Sequence, residues 1–407
     1  MIGAGFIGLE MAENLAERGV HVTVVEGASH VMPPIDMDMA HQVHNYIRAQ
    51  GIDLYLGQTC TAMDKDGVIL KDGRKIPADM VILSIGVRPD TGFLKDSGIE
   101  LGARGEILVN SYMETSAPDV YALGDAASVR HIVSGKQVLI PLASPANKQG
   151  RIVGDNLCGR KTAYRGSQGT SIMKFFGLTV AVTGEKEESL QAQGRAFCKV
   201  ITTSASQAGY YPGGEMMTVK TLFEPDTGRI LGAQIVGVKG VDKRIDDMAN
   251  AVRFGLTGFD LQEMELAYAP PFSSAKDPVN MAGYVIGNVI ESLMKPFYVE
   301  DLDRIPEDAV RLDVRTPEEC QRGMIPGFIN IPLDSLRERM GELDREKDIY
   351  ITCQIGLRGY LAQRILDQAG FKTWNLSGGY RLYEMVKKDE AAMAAVAGMC
   401  TECGKEL

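Results

Sequence analysis

Cys353 is the residue of this chain best placed to do covalent chemistry. It ends the apolar run from Asp348 to Thr352 and opens a six-residue loop, Cys353-Gln354-Ile355-Gly356-Leu357-Arg358, with a helix expected from near Gly359. A cysteine at a strand-to-helix junction faces successive backbone N–H groups and a helix N-terminus, which favour a thiolate. Arg358 closes the loop with a fixed positive charge. The loop reads as an anion cradle around a nucleophilic sulfur, and its small ring suits sulfur better than a tetrahedral phosphate. The plainer alternative is a buried structural cysteine.

A second constellation opens the chain. Gly3-Ala4-Gly5-Phe6-Ile7-Gly8 has the spacing of a dinucleotide-binding turn, although only Met1 and Ile2 precede it to supply the feeding strand. Gly3 permits the tight turn, Gly5 lets backbone approach a pyrophosphate, and Gly8 allows the following helix to pack on the strand. Leu9, Ala12, Leu15 and Ala16 recur at helical spacing, Gly19 ends that helix, and Val20 to Val25 reads as a buried strand. Glu26, 18 residues after Gly8, stands where a carboxylate accepts hydrogen bonds from the adenosine ribose. No Arg or Lys follows it closely, which leans towards NADH and leaves NADPH open.

Further on, Val81 to Gly86 reads as a buried strand whose carboxyl end at Gly86 is a place where ligands collect in an open parallel sheet. A short strand also runs into Gly124-Asp125, setting a carboxylate beside a small-residue turn, a geometry suited to a ribityl or ribose hydroxyl. The segment from Pro141 to Arg151 reads as the start of a helix whose positive end could face an electron-rich ring. The loop from Ala267 to Pro278, which contains Tyr268, is too proline-rich for regular structure.

These sites need several units to position them, and 407 residues suffice. With 45% hydrophobic and 24% charged residues the composition is globular, and a net charge of −10 argues against a nucleic-acid or anionic-membrane surface. No apolar run is long enough to span a bilayer and no export signal is visible, which with seven scattered cysteines points to the reducing cytoplasm. No metal site is expected; Cys400 and Cys403 form a C-x-x-C without a second pair. Residues 1–90 alternate as a doubly wound α/β NAD-binding domain, 91–168 form a different unit, and 169–294 carry antiparallel signals with helices. In that third unit Glu224 to Arg229 is a hairpin turn, and a helix is expected from Asp242 to Phe254. Lys295-Pro296 reads as a linker, 297–398 as a further α/β unit, and 399–407 as a tail.

The Cys353 loop, together with Leu312 to Glu319, Ile325-Pro326-Gly327, Asn330-Ile331-Pro332 and Leu376 to Tyr380, resembles the rhodanese-like sulfurtransferases. Met324 departs from that pattern, where a His is usual. The resemblance implies that Cys353 carries sulfane sulfur as a persulfide, with the loop amides and Arg358 holding its charge. Residues 1–290, through the glycine fingerprint, Gly86-Val87-Arg88-Pro89, Pro118 to Asp125 and the Tyr268 loop, resemble the pyridine nucleotide–disulfide oxidoreductases. The match is to the coenzyme A-disulfide reductase and NADH oxidase branch. The whole chain is similar to the coenzyme A-disulfide reductase–rhodanese fusions.

This resemblance implies a flavoenzyme with FAD and NADH that reduces persulfide, polysulfide or coenzyme A disulfide. Residues 91–168 would then be the C-terminal part of an FAD domain and 169–294 an α+β dimerisation domain making a homodimer. Carried onto this chain, Gly3, Gly5, Gly8 and Glu26 bind NAD(H), Gly124 and Asp125 contact the FAD ribityl, and Ala143 lies by the flavin. Tyr268 is a substrate-side donor at the partner's site. The family's N-terminal FAD segment and its flavin-side cysteine have no counterpart here, so this chain is expected to hold FAD poorly. The alternatives are a sulfurtransferase with an inactive flavoprotein half, and a non-catalytic persulfide carrier.

Overall fold

The structure is a computed structural model that describes residues 1–403, with side chains through Val396; Cys400 and Cys403 therefore lie outside the described side chains. The glycine turn feeds α1 (Phe6–Ala16), whose buried Leu9 and Ala12 share one face, and β1 (Thr23–Glu26) returns beneath it. Then come α2 (Met37–Ala49) and β2 (Asp53–Leu56), which pairs with β1 in parallel. Ile2 makes parallel bridges to Val25 on one side and Leu83 on the other, so one residue stands in for the feeding strand. An antiparallel meander of β3 (Cys60–Asp64), β4 (Gly67–Leu70) and β5 (Lys75–Pro77) covers one face, setting Val68 and Leu70 against Ile2 and Val25.

The buried strand expected at Val81 to Gly86 is not formed. Leu83 holds only the bridge to Ile2, and Leu83 and Ile85 are 59% and 74% exposed. Among the described residues no strand pairs with its far side, so the apolar run has nothing there to pack against. Downstream, β6 (Val129–Arg130) and β7 (Gln137–Val138) form a small hairpin, and α3 (Ala143–Leu157) begins where a helix start was expected. Val153 of α3 joins Val109, Met113, Ala122 and Val129 in a local core.

The third unit is an antiparallel sheet in the order β10-β11-β12-β9-β8. Its strands are β8 (Ser171–Phe175), β9 (Leu178–Gly184), β10 (Cys198–Ala205), β11 (Met216–Phe223) and β12 (Ile230–Gly237), with α4 (Glu187–Ala192) between β9 and β10. Side chains alternate between its faces. Val180 and Val182 face α1 and α2, whereas Ala181, Val219 and Ile235 face the core shared with α5 (Val241–Phe254), α6 (Gly258–Glu263) and α7 (Pro278–Ile290). Both faces are therefore buried.

The last unit is a parallel sheet in the order β13-β17-β16-β14-β15, made by β13 (Pro296–Phe297), β14 (Val310–Asp313), β15 (Ile329–Asn330), β16 (Asp348–Thr352) and β17 (Lys372–Leu376). Its helices are α8 (Pro317–Gln321), α9 (Leu336–Arg339), α10 (Leu357–Gln368) and α11 (Gly379–Cys403). Lys295-Pro296 is not a free linker. The Lys295 carbonyl accepts from Asn375 N–H at 2.9 Å, and Pro296 and Phe297 pair with β17, because Phe297 is buried in this unit's core.

This unit is docked firmly on the others. Ser377 Oγ accepts from Ile201 N–H at 2.9 Å and so covers the open edge of β10. Glu300 meets Lys199 at 2.6 Å, and α11 lies along α2, where Asn45 donates to the Met385 carbonyl at 2.8 Å.

Candidate functional site

Cys353 sits at the mouth of β16 and is fully buried (0% exposed). Its Sγ accepts from Gly356 N–H at 3.1 Å. Gly356 takes a positive φ as it caps α10, which turns the loop amides inward around the sulfur. The expected thiolate is not favoured in this closed arrangement. Burial pushes the Cys353 thiol above its ordinary value, and the amides of Gly359, Ile355 and Gly356, with Arg358, pull it down only in part. Arg358 is also not turned onto the sulfur as its role there implied. It forms a two-pronged ion pair with Glu319, at 2.7 Å on each prong. A second cation beside the loop, Arg315, donates to Asp313 at 2.7 Å and lies over the Tyr380 ring.

The glycine turn tests what its cradle can accept. A Cβ on Gly8 would lie 2.1 Å from the Gly3 carbonyl oxygen, so helix and turn touch there backbone to backbone. Gly5 differs: a Cβ there would meet nothing within 4 Å, so the space beside it is open. Gly5 is also the N-cap of α1 and offers no side-chain cap, leaving the first N–H groups of the helix free for an anion. Glu26 lies at the end of β1 and accepts from the amides of Ala4 at 2.7 Å and Ala28 at 2.8 Å, which fixes its carboxylate at the rim of the turn. These residues fit a dinucleotide pyrophosphate with its ribose beside Glu26. Gly86 follows the exposed Ile85 and takes a positive φ.

Gly124 and Asp125 form a single 3-10 turn. Gly124 N–H donates to the buried Gln149 Oε1 at 2.7 Å, which ties the turn to α3. Asp125 is exposed, and among the described residues it has no hydrogen-bond partner. Ala143, also exposed, opens α3, whose N-terminus carries no side-chain cap. An unpartnered carboxylate joined to an uncapped helix N-terminus suits one side of a flavin nucleotide.

Tyr268 is half-exposed, and its hydroxyl meets that of Tyr210 at 3.1 Å, a hydrogen bond that raises its pKa. Its loop is held by a residue that sequence reading missed. Arg244, buried on α5, donates to Asp277 Oδ2 at 2.8 Å, Ser273 Oγ at 3.0 Å and the Ser206 carbonyl at 3.1 Å. An arginine within the helix expected at Asp242 to Phe254 was the available signal, but its partners are 29 to 38 residues away. Between this loop and the sulfur loop lies a cleft of about 410 Å³, lined among others by Ser204, Ser274, Lys276, Tyr284, Ile355 and Leu357.

Comparison with known proteins decides the affiliation. Residues 1–150 match the pyridine nucleotide-disulphide oxidoreductase model, residues 170–278 its dimerisation domain, and residues 299–385 the rhodanese-like domain. The chain is 47% identical to reduced Bacillus anthracis CoADR-RHD, with a TM-score of 0.93 over 95% of this chain and 70% of that one. The chain belongs to the pyridine nucleotide-disulphide oxidoreductases and carries a rhodanese-like domain. A NAD-dependent persulfide reductase from A. fulgidus is 38% identical, with a TM-score of 0.87 over 94% of this chain and 71% of that one. The coenzyme A disulfide reductase of Staphylococcus aureus is 34% identical over 285 residues, or 70% of this chain. That alignment spans 65% of the relative's length.

One more cluster joins the oxidoreductase part to the rhodanese-like domain. Asp389 of α11, fully buried, accepts from His41 Nδ1 at 2.6 Å and His44 Nδ1 at 2.7 Å and pairs with Arg48. Two histidines and a carboxylate this close could hold a metal ion. The tautomer of His44 argues against it. Val31 N–H donates to His44 Nε2 at 3.1 Å, so that nitrogen supplies the lone pair and Nδ1 carries the proton a metal would have to displace. The cluster is a hydrogen-bonded, charge-paired clasp between α2 and α11.

Proposed function

We propose that this chain supplies the nicotinamide-binding, dimer-forming and sulfur-carrying parts of a flavin-dependent reductase. Its substrates would be persulfides, polysulfide or coenzyme A disulfide. Gly3, Gly5, Gly8 and Glu26 hold NADH, with the carboxylate of Glu26 disfavouring the extra phosphate of NADPH. Gly124, Asp125 and Ala143 with the α3 N-terminus take one side of FAD, which when bound relays electrons between nicotinamide and a disulfide. Cys353 accepts sulfane sulfur, the loop amides hold the persulfide charge, and Arg358 anchors the loop. Tyr268 of one copy donates a hydrogen bond at the site of a second.

The observation that carries the reading is the cleft. It sets the sulfur loop, at Ile355 and Leu357, against Ser274 and Lys276 of the Tyr268 loop within one docked body. Sulfur held on Cys353 is therefore released beside the flavoprotein half.

The test uses the full-length protein with FAD, NADH and an alkyl persulfide. NADH oxidation should accompany sulfide release, and Cys353→Ser should abolish thiosulfate:cyanide sulfur transfer. Sulfur transfer that survives Cys353→Ser would overturn every role given to that residue. Sulfur transfer without flavin binding or NADH oxidation would leave a sulfurtransferase alone.

A further inference from the structure

We infer that Glu319 sets which sulfur donor Cys353 accepts, by cancelling the charge of Arg358 beside the loop. The inference rests on Cys353 being the sulfane carrier.

Both prongs of the Arg358 guanidinium are taken by Glu319, each at 2.7 Å. Glu319 is in turn held from behind, since Thr316 N–H donates to its Oε2 at 2.9 Å and Thr316 Oγ1 accepts from Glu319 N–H at 3.3 Å. The pair is thus braced against the first turn of α8. Its hydrogen bonds from Arg358 bring the Glu319 carboxyl down to about 2, so it stays ionised throughout any assay range. The other nearby guanidinium, Arg315, reaches Gln354 Oε1 of the loop at 3.4 Å but is neutralised by the fully buried Asp313.

The sulfur therefore accepts from a backbone amide, and the Arg358 and Arg315 guanidiniums beside the loop are each engaged by a carboxylate. Amides suffice for the single negative charge of a persulfide. Thiosulfate brings two charges and meets a carboxylate at the rim with Arg358 and Arg315 already paired. The loop is built for alkyl persulfides over thiosulfate.

The transfer itself balances with either donor. The Cys353 sulfur attacks the outer sulfur of RSSH, the donor's S–S bond breaks as a new one forms, and the thiol RSH leaves with the proton. With thiosulfate the same exchange releases sulfite. No outside oxidant or reductant takes part.

The experiment measures the rate of Cys353 persulfide formation by intact mass, against the concentration of glutathione persulfide or thiosulfate, with Cys353→Ser as the blank. Wild-type protein should half-saturate at lower persulfide than thiosulfate. Glu319→Gln keeps the acceptor for Thr316 but frees Arg358. It should lower half-saturation by thiosulfate about fivefold relative to persulfide, the scale of one partly exposed ion pair. Adding Arg358→Gln should erase that gain. A merely structural role for Glu319 would move both donors together and leave their ratio unchanged within twofold, which overturns the inference. A gain that persists without Arg358 overturns it too. If wild-type Cys353 takes sulfur from neither donor, the carrier reading itself fails and the inference with it.

Discussion

Replacing Asp389 by Asn tests the clasp between α2 and α11. The change preserves shape and removes one charge. In the native arrangement the carboxylate accepts from His41 at 2.6 Å and His44 at 2.7 Å and balances Arg48, with His44 and Asp389 wholly inside the protein. Asn retains one acceptor oxygen, sets an N–H₂ against donors that point inward, and leaves Arg48 uncompensated. Removing one partner of a buried ion pair costs about 3–5 kcal/mol. At ~1.4 kcal/mol per decade, local opening of this contact should rise by roughly two to four orders of magnitude. Native-state hydrogen exchange on peptides covering α2 and residues 379–396 reads this directly, with β16 as the internal reference. Lys387→Ala is the control: its exposed pair with Glu390, 2.8 Å apart, should contribute under about 1 kcal/mol. A change of less than tenfold on both helices for Asp389→Asn would refute the assignment of the clasp.

The clasp should also loosen in acid. Burial holds the His44 pKa below its ordinary value against the opposing pull of Asp389, with the nearby His41 and Arg48 adding to the lowering. A base whose folded pKa is depressed contributes stability that is present above its unfolded value, about 6.5, and lost as pH falls below it. The thermal midpoint should thus fall between pH 7.5 and 5.5, and His44→Gln should flatten that slope. Gly8→Ala, with its Cβ 2.1 Å from a carbonyl oxygen, should destabilise the nucleotide unit, as urea unfolding would show. Gly5→Ala should leave stability within about 1 kcal/mol and raise the NADH Kd at least about tenfold, because its methyl enters the phosphate space and touches nothing else. Calorimetry separates the two. Arg244→Met should cost about 3–5 kcal/mol by stranding the buried Asp277, and the Tyr268 loop should become sensitive to limited proteolysis.

Much of the site was legible because it depends on near neighbours in the chain. The glycine spacing dictates a turn and a helix start, since only residues without Cβ tolerate the Gly3–Gly8 contact. An apolar strand running into Cys353 and Gly356 dictates a loop whose amides converge on sulfur. The β11–β12 hairpin and the start of α3 were likewise local matters of turn residues and helical periodicity. The parallel and antiparallel units followed from the same patterns.

Tertiary structure alone decided what those groups face. Glu319 stands 39 residues before Arg358, and Asp389 lies 345 residues from His44, so neither pairing has a sequence signal. Burial opposes the thiolate expected at Cys353, because desolvation depends on what packs over the loop and not on the loop itself. The same reason overturned the strand at Val81 to Gly86, whose apolar residues require a covering partner that local pattern cannot supply. Sequence by itself determined the chemical groups and their local backbone; long-range packing determined their charge, partners and access to solvent, since pairing and desolvation are set by elements distant along the chain.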